Sequence, residues 1–245
     1  MKPKVLAVIP ARLGSRRFSG KVLYPFKGKP LLFFVWNEMR KAKKVDRLVI
    51  ATDSLEVKSV AEQFGAEVLL SRKSHPSGSD RVAEVAAKVG GEIVVNIQAD
   101  NLSMPASVID KGIALLQKRK NLLYATTASR ITDEDDLYNP NTVKVVGSKD
   151  GKALWFSRYP IPFVQHPTAD ERLAQYRYLK HIGVYFFRRK GLESFTKWKQ
   201  SPLEKIESLE QLRILEHGGT IGLYESNVVS ISVDTPEDIH KLELV

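Results

Sequence analysis

The chain contains no cysteine among its 245 residues. That absence excludes disulfide bonds, thiolate metal sites and cysteine nucleophiles. No apolar run approaches the roughly 20 residues that a membrane-spanning helix needs, because charged residues interrupt every one. The segment Met1–Arg12 has a basic start, but its apolar stretch is too short for a signal peptide. We therefore expect a cytoplasmic protein without membrane insertion.

Neither of the two commonest nucleotide-binding motifs is present. G-x-G-x-x-G and G-x-x-x-x-G-K-[ST] both fail, because Gly14 and Gly20 are spaced differently and Val22 follows Lys21. The stretch Val5–Lys21 instead reads V-L-A-V-I-P-A-R-L-G-S-R-R-F-S-G-K. A strand followed by a flexible cationic loop presents main-chain N–H groups and positive charge to a polyphosphate. The sequence predicts a nucleotide site of a type that neither motif describes.

An excess of basic residues gives the chain a net charge of +10. Such a charge favours anionic partners, nucleic acid among them. The basic residues are dispersed, however, and the densest groups, Arg40–Lys44 and Lys118–Lys120, lie at the ends of predicted helices, where cations complement the helix dipole. A small anionic substrate also suits a basic protein. Because no base-stacking motif or single basic face is found, we expect no nucleic-acid partner.

The first half of the chain alternates strands with helices, in a composition typical of globular proteins. The predicted strands are Val5–Ile9, Leu48–Ala51, Ala66–Leu70 and Ile93–Ile97. The predicted helices are Pro30–Lys43, Leu55–Phe64, Asp80–Val89 and Pro105–Gln117. This alternation indicates a mainly parallel sheet that is covered on both faces. Ligands of such sheets bind beyond the carboxyl ends of the strands, so we expect function in the loops that follow these four strands.

The second half is organised differently. Two short predicted strands flank S-K-D-G-K, whose Asp-Gly pair is typical of a turn, and together they predict an antiparallel hairpin. The remaining predictions are a long surface loop, a strand and two helices. In chain order these segments are Thr142–Val146, Ala153–Phe156, Tyr159–Tyr176, His181–Phe187, Pro202–Glu216 and Thr235–Leu244. We expect one Rossmann-like α/β domain over residues 1–245, with a small antiparallel insertion within about residues 142–190.

Two carboxylates are candidate metal ligands. Asp100 directly follows an apolar strand and Gln98-Ala99, a position from which a carboxylate can hold Mg²⁺ beside phosphate oxygens. Asp-Asn is also common in turns and caps, which is the structural alternative at this position. Asp234 precedes Thr235–Asp238, which read as the cap and first turn of a helix. The cap explains those four residues but does not explain Asp234.

A third set of polar residues indicates a pocket for a hydroxylated ligand. In a strand, His181, Gly183 and Tyr185 share one face, and the glycine allows close approach of another group. Ser157-Arg158 and Glu210-Gln211 supply further polar side chains. A histidine on a strand is also commonly a hydrogen-bonded structural residue, so the residues alone leave both interpretations open.

Taken together, these segments resemble the CMP-Kdo synthetases, the 3-deoxy-manno-octulosonate cytidylyltransferases, almost from end to end. The N-terminal motifs that carry the resemblance are I-P-A-R-L-G-S-R-R-F-S-G-K at Ile9–Lys21, G-K-P-L at Gly28–Leu31, A-T-D at Ala51–Asp53 and H-P-S-G-S-D-R at His75–Arg81. The later ones are N-P-N-T-V-K-V-V at Asn139–Val146, F-S-R-Y-P-I-P at Phe156–Pro162, Y-L-K-H-I-G-V-Y at Tyr178–Tyr185, S-P-L-E-K-I-E-S-L-E-Q-L-R at Ser201–Arg213 and V-D-T-P-E-D at Val233–Asp238.

The resemblance implies a nucleotidyltransferase with the fold of the nucleotide-diphospho-sugar transferases. Enzymes of this family join CTP to the anomeric hydroxyl of Kdo, an acidic eight-carbon sugar. They release pyrophosphate and give CMP-Kdo for lipopolysaccharide synthesis. The resemblance also implies a homodimer that forms through the antiparallel insertion.

The site residues carried over by the resemblance fall into four groups. The implied nucleotide site comprises Ala11, Arg12, Leu13, Gly14, Ser15, Lys21, Ser77, Gly78 and Gln98. The implied sugar pocket comprises Gln98, Arg158, His181, Tyr185, Glu210 and Gln211. Mg²⁺ would be held by Asp100 and Asp234. The implied catalytic residues are Arg12 and Lys21, on the triphosphate, together with Asp100 and Asp234.

One segment departs from the family pattern. The family usually shows Q-G-D-E-P, whereas Gln98–Leu102 reads Q-A-D-N-L. Ala99 brings a Cβ where glycine is usual, and Asn101 and Leu102 remove a negative charge and a rigid proline. Ser19 also stands where proline is usual. These differences leave two alternatives open: a cytidylyltransferase for a modified acid sugar, such as 8-amino-Kdo or a nonulosonate, and a degenerate nucleotide- or sugar-binding protein without turnover.

Overall fold

The computed structural model describes residues 2–14, 18–72, 75, 77–165, 172–228, 233 and 238–239. Its strands are β1 (Val5–Pro10), β2 (Pro25–Phe26), β3 (Lys29–Pro30), β4 (Arg47–Thr52), β5 (Val68–Leu70), β6 (Ile93–Ile97), β7 (Tyr124–Arg130), β8 (Lys144–Gly147), β9 (Ala153–Ser157), β10 (Leu179–Arg188) and β11 (Ile221–Glu225). Its α-helices are α1 (Leu31–Met39), α2 (Leu55–Gln63), α3 (Gly78–Val89), α4 (Ala106–Lys118), α5 (Glu134–Tyr138), α6 (Arg172–Gln175), α7 (Arg189–Lys197), α8 (Pro202–Glu207) and α9 (Leu212–Glu216).

The strands β5, β4, β1, β6, β10, β7 and β11 lie side by side in that order. The first four run parallel to one another, and β11 runs parallel to β7. Strand β10 runs antiparallel to both of its neighbours, β6 and β7. The prediction of a mainly parallel α/β sheet is confirmed, with one reversed strand at its centre.

The predicted antiparallel hairpin is also confirmed. Strands β8 and β9 pair antiparallel, and Gly151 in their turn has a φ of +70°, which glycine adopts without strain. Strand β8 in addition pairs antiparallel with Leu179 and Lys180 at the start of β10. The three strands form the small antiparallel part of the fold.

Strand β10 contains a bulge next to the centre of the sheet. Ile182 pairs with Thr127 of β7, but the next pair is Tyr185 with Thr126. Gly183 and Val184 therefore have no counterpart on β7. Bulges of this kind redirect side chains and carbonyl groups, and they are frequent beside active sites.

Two apolar layers cover the sheet, as the alternation of strands and helices predicts. Ala7 and Ile9 of β1 belong to a buried cluster that includes residues of α1 and α4. Leu6 and Val8, which point the opposite way, belong to a second cluster with residues of α3 and α7. Across the described ranges, no helix has both the length and the apolar character needed to cross a membrane.

The prediction of one helix over Pro202–Glu216 is wrong, because the segment forms two helices. Helix α8 begins at a capping box in which Ser201 and Glu204 bond reciprocally. It ends at Ser208, whose φ of +52° is left-handed, so the chain turns before α9 begins. Apolar residues recur on both sides of this turn, which hides the break from a periodicity argument. Glu210 and Gln211 lie in the connection.

Seven of these strands and helices have no counterpart among the predictions: β2, β3, β7, β11, α5, α6 and α7. The loop predicted over Tyr159–Tyr176 is irregular up to residue 165 and contains the one-turn helix α6. Of the closing helix predicted over Thr235–Leu244, only residues 238 and 239 are described.

Candidate active site

Lys21 and Asp100 meet beyond the carboxyl ends of β1 and β6. Gly20 has a φ of +72°, and the single 3₁₀ turn Lys21–Leu23 follows it. The Lys21 Nζ donates to Asp100 Oδ2 at 3.0 Å and to the Val233 carbonyl at 2.6 Å. The Val233 N–H in turn donates to the Asp100 carbonyl at 3.2 Å. These bonds join the cationic loop, the loop after β6 and the residue that directly precedes Asp234.

The surroundings of Asp100 fit a divalent cation. Its Oδ1 is buried and has no hydrogen-bond partner among the residues that the structure describes. A carboxylate oxygen in that position suits Mg²⁺, which takes oxygen ligands. The described part of the chain holds no group of three or more acidic or histidine ligands. Mg²⁺ commonly uses only one or two carboxylates and completes its shell with water and phosphate oxygens. The second predicted ligand, Asp234, lies outside the described residues.

The loop after β1 is held at both ends by backbone hydrogen bonds. The Ala11 N–H donates to the Ala51 carbonyl of β4 at 2.8 Å, and the Gly20 N–H donates to the Leu13 carbonyl at 2.9 Å. Ala11 is buried, whereas Arg12 and Gly14 are exposed. The loop can therefore offer the Arg12 guanidinium to a bound phosphate. Of the nucleotide residues that the resemblance implies, Ser15 lies outside the described residues.

Helix α3 begins at the same edge of the sheet. Ser77 is its N-cap, and the Ser77 hydroxyl accepts from the Asp80 N–H at 3.3 Å. At Gly78, the next residue, a Cβ would lie 3.6 Å from the Pro10 side chain at the end of β1. The predicted nucleotide residues Ser77 and Gly78 thus lie against the strand that leads into the cationic loop.

A buried polar cluster lies beside this edge and consists of Ser79, Asn96, Tyr185, Glu210 and Gln211. The Tyr185 hydroxyl donates to Gln211 Oε1 at 3.0 Å. The Asn96 amide donates to the Ser79 hydroxyl at 3.0 Å, and that hydroxyl donates to Glu210 Oε1 at 3.0 Å. Within the described ranges, Asn96 Oδ1, Glu210 Oε2 and Gln211 Nε2 are buried without a hydrogen-bond partner. Buried polar atoms are rarely left unpaired, so a ligand rich in hydroxyl groups would satisfy this cluster.

Burial also shifts the pKa values of Tyr185 and Glu210 in the cluster and of His181 beside it. It raises the pKa of Tyr185 well above its ordinary value and raises the pKa of Glu210. It lowers the pKa of His181 to about 3. At neutral pH Tyr185 is therefore a phenol and His181 is uncharged. Both side chains can therefore hydrogen-bond to a ligand, and neither brings a charge to the site.

Three of the predicted sugar-pocket residues lie on one wall, around the bulge of β10. A Cβ on Gly183 would lie 2.6 Å from Gln98 Oε1, so the Gln98 side chain packs where only glycine leaves room. The His181 ring centre lies 5.4 Å from that of Tyr185 and 5.1 Å from that of Phe156. His181 is half-buried, and its Nε2 lies 2.7 Å from the Thr126 hydroxyl oxygen.

Arg158 contacts the backbone that leads to Glu210. Its guanidinium donates to the carbonyls of Glu207 at 2.7 Å, Pro140 at 2.8 Å and Ser208 at 3.3 Å. Among the described residues these bonds leave one N–H on each terminal nitrogen of the guanidinium. Two terminal N–H groups are the arrangement with which arginine binds a carboxylate.

Asn101, which stands where the family usually has glutamate, has a structural role in this chain. The side chain is 4% exposed, and its amide donates to the Gly183 carbonyl at 2.8 Å. A glutamate at this position could not donate that bond in its ionised form. Asn101 thus ties the loop that carries Asp100 to the bulge on which Gln98 packs.

Sequence reasoning missed Ser79, Asn96 and Thr126, and it noted Asn101 only as a departure from the family pattern. Asn96 gives the clearest sequence signal, because it interrupts the apolar run I-V-V-N-I in a strand that is buried along its length. A polar side chain in such a strand needs a buried partner. The other three residues occur in segments of mixed polarity, in which nothing marks them as buried.

Comparisons with known proteins identify the family of the chain. The cytidylyltransferase family profile matches residues 6–225. A 3-deoxy-manno-octulosonate cytidylyltransferase of Francisella philomiragia is 41% identical over 96% of this chain and 95% of the relative. The enzyme of that name from Geobacter sulfurreducens is 41% identical over 97% of both chains.

A solved structure of a CMP:2-keto-3-deoxy-manno-octonic acid synthetase complexed with CTP is 34% identical. It superposes with a TM-score of 0.89 over 98% of this chain and 97% of that chain. A 4-diphosphocytidyl-2C-methyl-D-erythritol synthase from Anaerococcus prevotii is 15% identical with a TM-score of 0.64, and it shares the fold. The chain therefore belongs to the cytidylyltransferase family of nucleotidyltransferases, among the 3-deoxy-manno-octulosonate cytidylyltransferases.

Proposed function

We propose that the protein transfers CMP from CTP to the anomeric hydroxyl of 3-deoxy-manno-octulosonate and releases pyrophosphate. The observation that carries the proposal is the contact between Lys21 and Asp100 beside the buried polar cluster. It brings a lysine ammonium, which would bind phosphate, and a carboxylate, which would hold a metal ion, close to unpaired polar groups. The names of the relatives, and the CTP in the related solved structure, support the same donor and acceptor.

The reaction needs positioning and charge neutralisation more than it needs a covalent enzyme intermediate. The anomeric hydroxyl of the sugar loses its proton to solvent, and its oxygen forms a bond to the α-phosphorus. The bond from that phosphorus to the oxygen shared with the β-phosphate breaks, and pyrophosphate leaves. Negative charge develops on the phosphate oxygens during this exchange. Arg12 and Lys21 would place fixed positive charge there, and one such donor contributes about 3–4 kcal/mol in comparable sites.

Asp100 and Asp234 would hold the Mg²⁺. A bound ion would polarise the α-phosphate, lower the pKa of the attacking hydroxyl and offset the charge of the leaving pyrophosphate. The Lys21 ammonium already lies against Asp100, and so it would stay close to the same phosphates.

The sugar would lie across the wall formed by Gln98, His181 and Tyr185. The two terminal N–H groups of Arg158 would bind its carboxylate. The unpaired atoms of Glu210 and Gln211 would pair with its hydroxyl groups. Desolvation of these buried groups makes each missed hydrogen bond costly, which is how such a pocket discriminates between sugars.

An assay of pyrophosphate release tests the proposal directly. CTP is supplied with Kdo, 8-amino-Kdo or a sialic acid, with and without Mg²⁺. We expect Kdo to give the highest kcat/KM and expect removal of Mg²⁺ to abolish the signal. A higher kcat/KM with either other sugar would replace Kdo by that sugar as the substrate. No release with any sugar would leave a binding protein without turnover.

We also propose that the protein acts as a homodimer in the cytoplasm, where CTP is available. The side chains of Leu154, Tyr159 and Phe163 are 57%, 75% and 72% exposed, on and directly after β9. Exposed apolar side chains of this size, close together in the chain, are typical of an interface. Light scattering is expected to give twice the 27.6 kDa of one chain. The mass of a single chain would contradict the dimer.

A further inference from the structure

Hydrogen-bond directions around Thr126 determine which nitrogen of His181 carries its proton. The Thr126 hydroxyl oxygen lies 2.7 Å from the Val184 carbonyl oxygen and 2.7 Å from His181 Nε2. A carbonyl oxygen can only accept, so the single hydroxyl hydrogen of Thr126 points to Val184. The hydroxyl oxygen is then an acceptor toward the imidazole, and Nε2 must donate.

The other ring nitrogen is consequently an acceptor. His181 is uncharged at neutral pH, because burial keeps its pKa far below 7. A neutral imidazole carries one N–H, and with that hydrogen on Nε2 the Nδ1 atom has a free lone pair. In the part of the chain that the structure describes, no residue donates a hydrogen bond to Nδ1.

We propose that Thr126 is a positioning residue that holds His181 in the Nε2–H tautomer, so that Nδ1 accepts a hydrogen bond from a hydroxyl group of the sugar. This inference rests on the proposed function in one respect, which is that it takes His181 as a residue of the sugar pocket. It also specifies which partner donates the hydrogen bond between His181 and the sugar. The sugar must donate at this point, and a substituent with lone pairs only would be rejected there.

The bulge in β10 explains why a threonine is needed. Because Val184 has no counterpart on β7, the Thr126 hydroxyl pairs with the Val184 carbonyl instead. The same hydroxyl then orients His181. Serine could make both hydrogen bonds, whereas valine, which has nearly the shape of threonine, could make neither.

Nuclear magnetic resonance of ¹⁵N-labelled protein reads the tautomer without any substrate. A His181→Gln variant identifies the His181 signals among those of the five histidines. Wild-type protein at neutral pH is expected to show a protonated Nε2 and a bare Nδ1, and the Nδ1 signal is expected to shift when Kdo is added with CTP. A protonated Nδ1 in the wild-type protein would overturn the proposal.

Three variants test the role of Thr126. Thr126→Val is expected to remove the tautomer preference and to raise the KM for the sugar about tenfold, with kcat and the KM for CTP within about twofold of wild type. Thr126→Ser is expected to restore both. Thr127→Val is the matched control, because Thr127 is equally buried but its hydroxyl donates to the Tyr224 carbonyl. This control is expected to leave tautomer and KM unchanged.

The outcomes separate this proposal from the proposed function. An unchanged tautomer and an unchanged sugar KM in Thr126→Val would overturn the role of Thr126, whatever the substrate is. If Kdo is not turned over, the spectra of the wild-type protein and of the variants still decide the tautomer. If Thr126→Val does not fold, the wild-type and Thr126→Ser spectra decide it.

Discussion

Replacing Asp100 by asparagine is expected to lower kcat/KM by about a thousandfold or more, which corresponds to about 4 kcal/mol of transition-state stabilisation. The substitution keeps the shape of the side chain and an oxygen that can accept from Lys21 Nζ. It removes the negative charge with which Asp100 would hold Mg²⁺. Steady-state kinetics over a range of Mg²⁺ concentrations measure the loss, and urea unfolding shows whether the fold is intact.

The matched control is Asp110→Asn in helix α4. The Asp110 carboxylate accepts from the backbone N–H groups of Lys43 and Lys44, on another part of the molecule. This control should keep kcat/KM within about twofold of wild type, because it removes the same charge without touching the proposed site. Near-native activity of Asp100→Asn with Mg²⁺ would contradict the role of Asp100 as a metal ligand.

The sequence was sufficient to predict that the loops carrying Lys21 and Asp100 lie at the same edge of the sheet. Both follow apolar strands, and the carboxyl ends of parallel strands share one edge of a sheet. That argument needs only the order of the elements along the chain, and no knowledge of side-chain contacts. Val233 contacts both residues, whereas Asp234 lies outside the described residues and stays a predicted ligand.

Strand β7 shows what the sequence could not predict. Its residues, Y-A-T-T-A-S-R, lack the apolar run that indicates a buried strand, yet Thr126, Thr127 and Ser129 are buried. The Thr126 and Thr127 hydroxyls donate to carbonyls of the neighbouring strands β10 and β11, so their burial costs little. Those partners are far away in the chain. A pattern read along one segment cannot show which groups will pair across the sheet.

The motif S-P-L-E-K-I-E-S-L-E-Q-L-R divides into two parts with different roles. Glu210 and Gln211 belong to the buried polar cluster. Glu204 and Arg213 instead form an ion pair whose side chains are 4% and 2% exposed, with nitrogen–oxygen distances of 2.7 Å and 2.5 Å. The Arg213 guanidinium also lies 4.1 Å from the centre of the Phe195 ring. This pair connects α8, α9 and α7.

Glu204→Gln is therefore expected to lower the free energy of unfolding by about 3–5 kcal/mol, because it leaves the buried Arg213 without a counter-charge. Urea unfolding followed by circular dichroism measures the loss.

Glu67→Gln is the matched control. Glu67 also pairs through both oxygens with an arginine, Arg47, but both side chains of that pair are 41% exposed. Solvent screens an exposed pair, so this control should cost less than about 1 kcal/mol. Equal effects of the two substitutions would show that burial does not determine the strength of the Glu204–Arg213 pair. A much larger effect of Glu204→Gln would assign this half of the motif to holding α7, α8 and α9 together, and thus to placing Glu210 and Gln211 beside Tyr185.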